Sequence, residues 1–140
     1  MTARQCKLAI KQTFTQDSEK ETAAQLHTGR GTLSVEDGLV RLCCHGDGAL
    51  PAQTVTFPLQ DPLAVTAESG LTKLCFRSAG GPITVDTPMG AIDFDFWPDA
   101  VENSIELESG KGALLLRYRL TWGEDAVREA EIRYTLLGFV

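Results

Sequence analysis

No stretch of this chain is apolar for the roughly 20 residues that a membrane-crossing helix needs, so no membrane partner is expected. The opening segment, MTARQCKLAIKQTFTQ, lacks the apolar core of a secretory signal, which points to a cytoplasmic location. Cations are few: 13 Lys and Arg against 19 Asp and Glu give a formal net charge of −6. That balance opposes binding to a phosphate backbone and argues against a nucleic-acid partner. Only four cysteines occur, Cys6, Cys43, Cys44 and Cys75, and in an unexported chain free thiols are expected. Helical spacing of apolar residues is nearly absent. The Gly-x-Ser-x-Gly, His-Glu-x-x-His and phosphate-loop patterns do not occur. GDGALP and GRGTLS begin like dinucleotide loops but lack the third glycine and the strand-to-helix setting. No catalytic residue and no cofactor is assigned, and an enzyme ranks third among the functional readings.

What the chain does have is apolar residues recurring with period two, separated by pairs or triples of turn residues, the pattern of antiparallel strands in hairpins. Its 140 residues, 43% apolar and 23% charged, suit one globular domain spanning residues 1–140. Asp37-Gly38 is a strong two-residue turn signal that sets Val35 opposite Val40 and Leu33 opposite Leu42. Ser69-Gly70 would set Val65 opposite Leu74 and Ala67 opposite Thr72, and a loop at Gln60-Asp61-Pro62 would join Val65 to Phe57. Gly80-Gly81 would continue the series with Phe76 opposite Val85. Thr87-Pro88-Met89-Gly90 has the residues of a type I turn and sets Val85 opposite Ile92 and Ile83 opposite Phe94. Gly110-Lys111 would pair Leu107 with Leu114 and Ile105 with Leu116.

A loop at Gly123-Glu124-Asp125 aligns ALLLRYRLTW with AVREAEIRYTLL on both faces. Leu116 meets Ile132 and Tyr118 meets Ala130 inside, while Arg119 meets Glu129 and Arg117 meets Glu131 outside. About ten strands joined by tight turns predict an all-β fold, an antiparallel up-and-down barrel of about 8–10 strands that closes to hide its edges. Gly29 and Gly31 in HTGRGTL suggest a bulge or bend in a long second strand, and GDGALPAQ reads as the longest loop.

The succession GLVRLCCHG, AESGLTKLCF, VDTPMGAIDF, VENSIELESGKGALLLRYRLTWG and EAEIRYTLLG resembles the YwiB-like family of uncharacterised bacterial proteins. The likeness runs from about Lys7 to Gly138. It is best marked at Thr87-Pro88-Met89-Gly90 and along Gly112 to Tyr118. It implies a calycin-like, that is lipocalin-like, β-barrel and carries no activity with it.

Two functional readings follow. In one, an interior lined by Leu33, Val40, Leu42, Phe76, Val85, Phe94, Leu116, Tyr118 and Ile132 takes a small apolar or amphipathic ligand. In the other, those side chains fill the barrel, which acts through an acidic outer surface as a structural or interaction module. A homodimer is compatible with either. His27, counted back from Leu33, falls on the apolar face and could orient a ligand, unless a bulge at Gly29 or Gly31 turns it outward. Cys43-Cys44-His45 cannot converge on one ion, because consecutive strand residues face opposite ways. DFDFWPD begins like a calcium loop, but Trp97 stands where a ligand is wanted. The densest acids, Asp86, Asp93 and Asp95, read as the outer side of a hairpin. Pairing Phe94 with Leu107 and Phe96 with Ile105 would gather Asp93, Asp95, Glu106 and Glu108 into a patch able to attract a divalent cation or a basic partner.

Overall fold

Asp37 and Gly38 adopt φ of 52° and 76°, the left-handed pair of a type I′ turn whose twist matches that of the strands it joins. That turn is one of a series linking the ten strands of a computed structural model that describes residues 3–16, 22–45, 52–87, 90–122 and 126–140. The strands are β1 Arg4–Gln16, β2 Thr22–Glu36, β3 Leu39–Cys44, β4 Gln53–Pro58 and β5 Thr66–Ser69, followed by β6 Thr72–Cys75, β7 Gly81–Thr87, β8 Gly90–Asn103, β9 Lys111–Trp122 and β10 Ala126–Phe139. All ten join one antiparallel sheet in the order β6-β5-β4-β3-β2-β1-β10-β9-β8-β7, which curls into a nearly closed barrel. Among the described residues no helix is long and apolar enough to cross a membrane.

Period-two alternation sets most of the register. Leu33 lies opposite Leu42 and Val35 opposite Val40. Val85 meets Ile92 and Ile83 meets Phe94, while the turn residues Pro88 and Met89 lie outside the described residues. β9 and β10 pair as their two faces require: Leu116 with Ile132, Tyr118 with Ala130, Arg117 with Glu131 and Arg119 with Glu129. Residues 123–125 of that hairpin and 46–51 of the longest expected loop lie outside the described residues.

Four local expectations are corrected. The β5–β6 turn is Gly70-Leu71 rather than Ser69-Gly70, so Ala67 meets Leu74; the two-residue shift keeps every side chain on its face. β2 runs unbroken along β1, and the irregularity falls instead between β1 and β10, beside Lys7 and Leu8. Gly31 serves packing: a β-carbon there would collide with Leu8 Cδ2 and come within 3.0 Å of the Cys43 carbonyl oxygen.

β6 and β7 form no hairpin, so Phe76 has no ladder partner in Val85. They are the two ends of the sheet and meet at a seam where the Thr72 hydroxyl donates to the Thr84 carbonyl oxygen at 2.9 Å. The glycine between them is held elsewhere, because Gly80 lies so close to the Phe96 carbonyl oxygen that no β-carbon would fit.

No separate strand forms over 104–109. β8 instead continues through Pro98, which lacks the N–H of a regular ladder, by an irregularity at Asp99, and pairs Val101 with Leu116. Ile105 and Leu107 still pack against the core, but their backbone belongs to a loop closed by Glu106 N–H to the Lys111 carbonyl at 2.8 Å. Ile105 and Leu107 thus keep the expected inward alternation without the expected ladder.

Inside, Leu33, Val40, Leu42, Val55, Val65, Leu114 and Leu116 have 0% of their surface exposed. A side chain in that state borders neither solvent nor a void wide enough for a water molecule, so the middle of the barrel is filled by its own residues.

Candidate functional site

The strands differ in length, and this shapes one end of the barrel. β3 stops at Cys44 opposite Gly31, so the part of β2 before Gly31 runs on beyond it, beside β1. β5 and β6 have 4 residues each, whereas β1, β2, β8, β9 and β10 have 12 to 15. The long strands overhang the short ones, and among the described residues no strand covers their inner face at that end.

Alternation decides what this inner face carries. Phe14 lies opposite Ala130, His27 opposite Ile10, and Arg128 opposite Leu120, so each shares the side of a buried partner. Phe94, opposite Ile83, follows Phe96 in the inward series of β8. Phe14, His27, Phe94 and Arg128 are half-buried, and Trp122, the last inward residue of β9, is 64% exposed. The Arg128 guanidinium carbon stands 5.8 Å from the Phe14 ring centroid, within cation–π range.

Tyr118 forms the floor of this end. Its ring meets Phe76 edge-on at 5.9 Å and Phe96 tilted at 5.5 Å, and Phe76 and Phe96 pack edge-on at 5.4 Å. Burial pushes the Tyr118 phenol up to about 12, and the charge of Arg128 acts in the opposite direction. Beneath, the Tyr134 hydroxyl donates to Gln53 Oε1 at 2.7 Å, joining β10 to β4, and burial raises this phenol well above its ordinary value. Among the described residues no buried side-chain polar atom lacks a hydrogen-bond partner.

The residues proposed from sequence therefore divide. Leu33, Val40, Leu42 and Leu116 lie in the sealed middle; Phe76, Tyr118 and Ile132 are 6–8% exposed; Val85, Phe94 and His27 are half-buried. His27 stays on the inner face because β2 carries no bulge against β1. Phe14, Trp122 and Arg128 were missed. The Tyr118–Ala130 pairing contained the signal, since Arg128 lies two residues beyond Ala130 and must share its side.

The four acids do not come together. Asp93 faces Thr84, whose hydroxyl donates to it at 2.8 Å, and Asp95 faces Pro82 and Thr121. Glu106 bridges Lys111 and accepts from the Ser109 hydroxyl at 3.1 Å, and Glu108 is an exposed residue of the same loop. The cause is the continuation of β8 through Pro98, which pairs Phe96 with Leu120 rather than Ile105. Among the described residues no group of three His, Cys, Asp or Glu side chains could hold a metal ion. His45 is exposed, its Nε2 3.1 Å from the Thr32 hydroxyl, and Cys44 is buried inward.

A second concavity lies on the outer face, an open groove of about 370 Å³ over β1, β10 and β9. It is lined by Thr13, Thr15, Asp99, Arg117, Glu129 and Glu131. Its charges are largely matched within the protein, Arg117 to Glu131 at 3.6 Å and Arg119 to Asp99 at 3.1 Å.

The chain is similar in structure to the ywiB protein from Bacillus subtilis. The match has a TM-score of 0.61 at 11% identity, over 94% of this chain and 92% of that one. At that identity the likeness is one of fold. No family model and no curated protein matches the chain.

Proposed function

We propose that this protein is a calycin-like binding module that takes a small amphipathic molecule at the open end of the barrel, above the packed middle. One observation carries the reading: the inner face changes along the strands from fully buried Leu33, Leu42 and Leu116 to half-exposed Phe14, Phe94, His27 and Arg128. Aromatic rings with a few polar groups on a concave wall are the usual lining of a small-molecule site. An exposed tryptophan at its rim adds contact area at low entropic cost. Tyr118 would close the floor and limit how deep a ligand enters. We place this work in the cytoplasm, a reading supported by four free thiols.

A second reading, an interaction module acting through its outer face, draws support from the sealed core and the outer groove. Native mass spectrometry of protein purified without denaturation separates the two. A small-molecule adduct at one per chain, lost in Phe14→Glu, supports binding at the open end. Protein that carries no adduct and takes up no amphiphilic probe saturably favours the second reading.

A further inference from the structure

We propose that the open end selects an amphipathic anion, Arg128 taking the negative group while Phe14 and Trp122 contact the apolar body. The inference rests on the binding reading above and specifies the ligand's chemistry. Its basis is the distribution of charge between the two faces of the sheet. Asp93, Asp95, Glu129 and Glu131 all occupy outward positions, as do Arg117, Arg119 and Arg133. Acids and cations there stand together, Arg117 with Glu131 at 3.6 Å and Arg119 with Asp99 at 3.1 Å.

The inner face is different. Among the described residues, its strand positions carry no carboxylate and two arginines: Arg4, at the opposite end of the barrel over the Phe139 ring at 3.8 Å, and Arg128, the one permanently charged side chain at the open end. Arg128 is half-buried on a concave wall beside the Phe14 ring, where water screens it less than on the convex side. A cation partly withdrawn from water without an acid on its own face is unfavourable, and a bound anion relieves it. A guanidinium forms paired hydrogen bonds with the planar or tetrahedral oxygens of carboxylate, sulfonate or phosphate, so these groups share the selected chemistry. The rings of Phe14, Phe94 and Trp122 suit an apolar body attached to that group, which a free inorganic anion lacks.

Two dyes with one ring system test this directly: 1-anilinonaphthalene-8-sulfonate and the uncharged N-phenyl-1-naphthylamine, titrated by fluorescence at low ionic strength. Saturable binding of one dye per chain, about tenfold or more tighter for the sulfonate, is expected from a charge-assisted hydrogen bond. Arg128→Gln should bring the two affinities together, while Lys11→Gln, a charge removed from the outer face of β1, should leave the preference intact. Should Arg128→Gln fail to fold, Arg128→Lys keeps the charge without the fork and should reduce the preference. Equal affinities in the native protein, or a preference unchanged by every Arg128 substitution, overturn the anion inference and leave the binding reading standing. Absence of saturable binding by both dyes overturns the two together.

Discussion

Removing the Tyr134 hydroxyl tests whether the interior is as dry as its packing implies. Tyr134 is 1% exposed, Gln53 is 7% exposed, and their 2.7 Å hydrogen bond joins strands 81 residues apart in sequence. Tyr134→Phe keeps the ring and deletes the donor, leaving Gln53 Oε1 without its partner in a place that water does not reach. A hydrogen bond is worth about 1 kcal/mol net, and an orphaned buried acceptor costs about 1–3 kcal/mol, so a loss of about 2 kcal/mol is expected. Gln53→Leu should cost a similar amount by orphaning the phenol. The double substitution removes both partners and should lose less than the sum, with a coupling energy of about 1–2 kcal/mol. Urea unfolding of the four proteins gives the cycle, with slopes unchanged if only stability moves. Additivity within about 0.3 kcal/mol would refute the reasoning, since it would mean that water already serves both groups.

Other substitutions test other parts of the fold. Glu131→Arg breaks a partly exposed ion pair with Arg117 on the outer face and should cost at most about 1 kcal/mol; loss of folding would mean the face is assigned wrongly. Gly31→Ala places a β-carbon against Leu8 Cδ2 and the Cys43 carbonyl, and about 1–3 kcal/mol of destabilisation is expected in urea; an unchanged midpoint would show that β1 and β3 can move apart there. Burial raises Tyr118 and Cys44 each to about 12 from ordinary values of 10.0 and 9.0. The unfolded chain therefore ionises first, so this stability is full below about pH 9 and falls as pH rises towards 12, by up to about 1.4 kcal/mol per pH unit for each group. Melting temperatures that stay flat from pH 8 to about 11 would contradict that sign. In denaturant, with no prior reduction, all four cysteines should react with a thiol reagent; fewer would indicate a bridge.

The barrel was legible because each strand's alternation could be checked against its neighbour's. Where two faces agreed, as in β9 and β10 with Leu116 and Tyr118 inside and Arg117 and Glu131 outside, the register was fixed to the residue. The errors came where one face alone carried the signal. Ile105 and Leu107 alternate and face the core, but nothing in ELESG distinguishes a strand from a loop that buries the same two side chains. The acidic patch failed with that register. Glycines misled for a related reason: Gly31 and Gly80 are present because neighbouring atoms leave no room for a side chain, a property of the packed barrel and not of the local sequence. The open end was half legible. Counting places His27, Tyr118 and, two residues beyond Ala130, Arg128 on the inner side, whereas the half-exposure of that end depends on the overhang of the long strands, which follows from strand lengths that turn signals do not fix.

Under the proposed function, ligands meet the open end and leave the middle of the barrel untouched. NMR shift mapping, with backbone amides and Leu and Val methyl groups observed while 1-anilinonaphthalene-8-sulfonate is added, tests it most directly. The expected result is a set of saturating shifts confined to Phe14, His27, Phe94, Tyr118, Trp122 and Arg128 and their immediate neighbours, with the methyl groups of Leu33, Val40, Leu42 and Val55 unmoved. Shifts of comparable size at those four core residues would place the ligand inside the barrel and contradict the account.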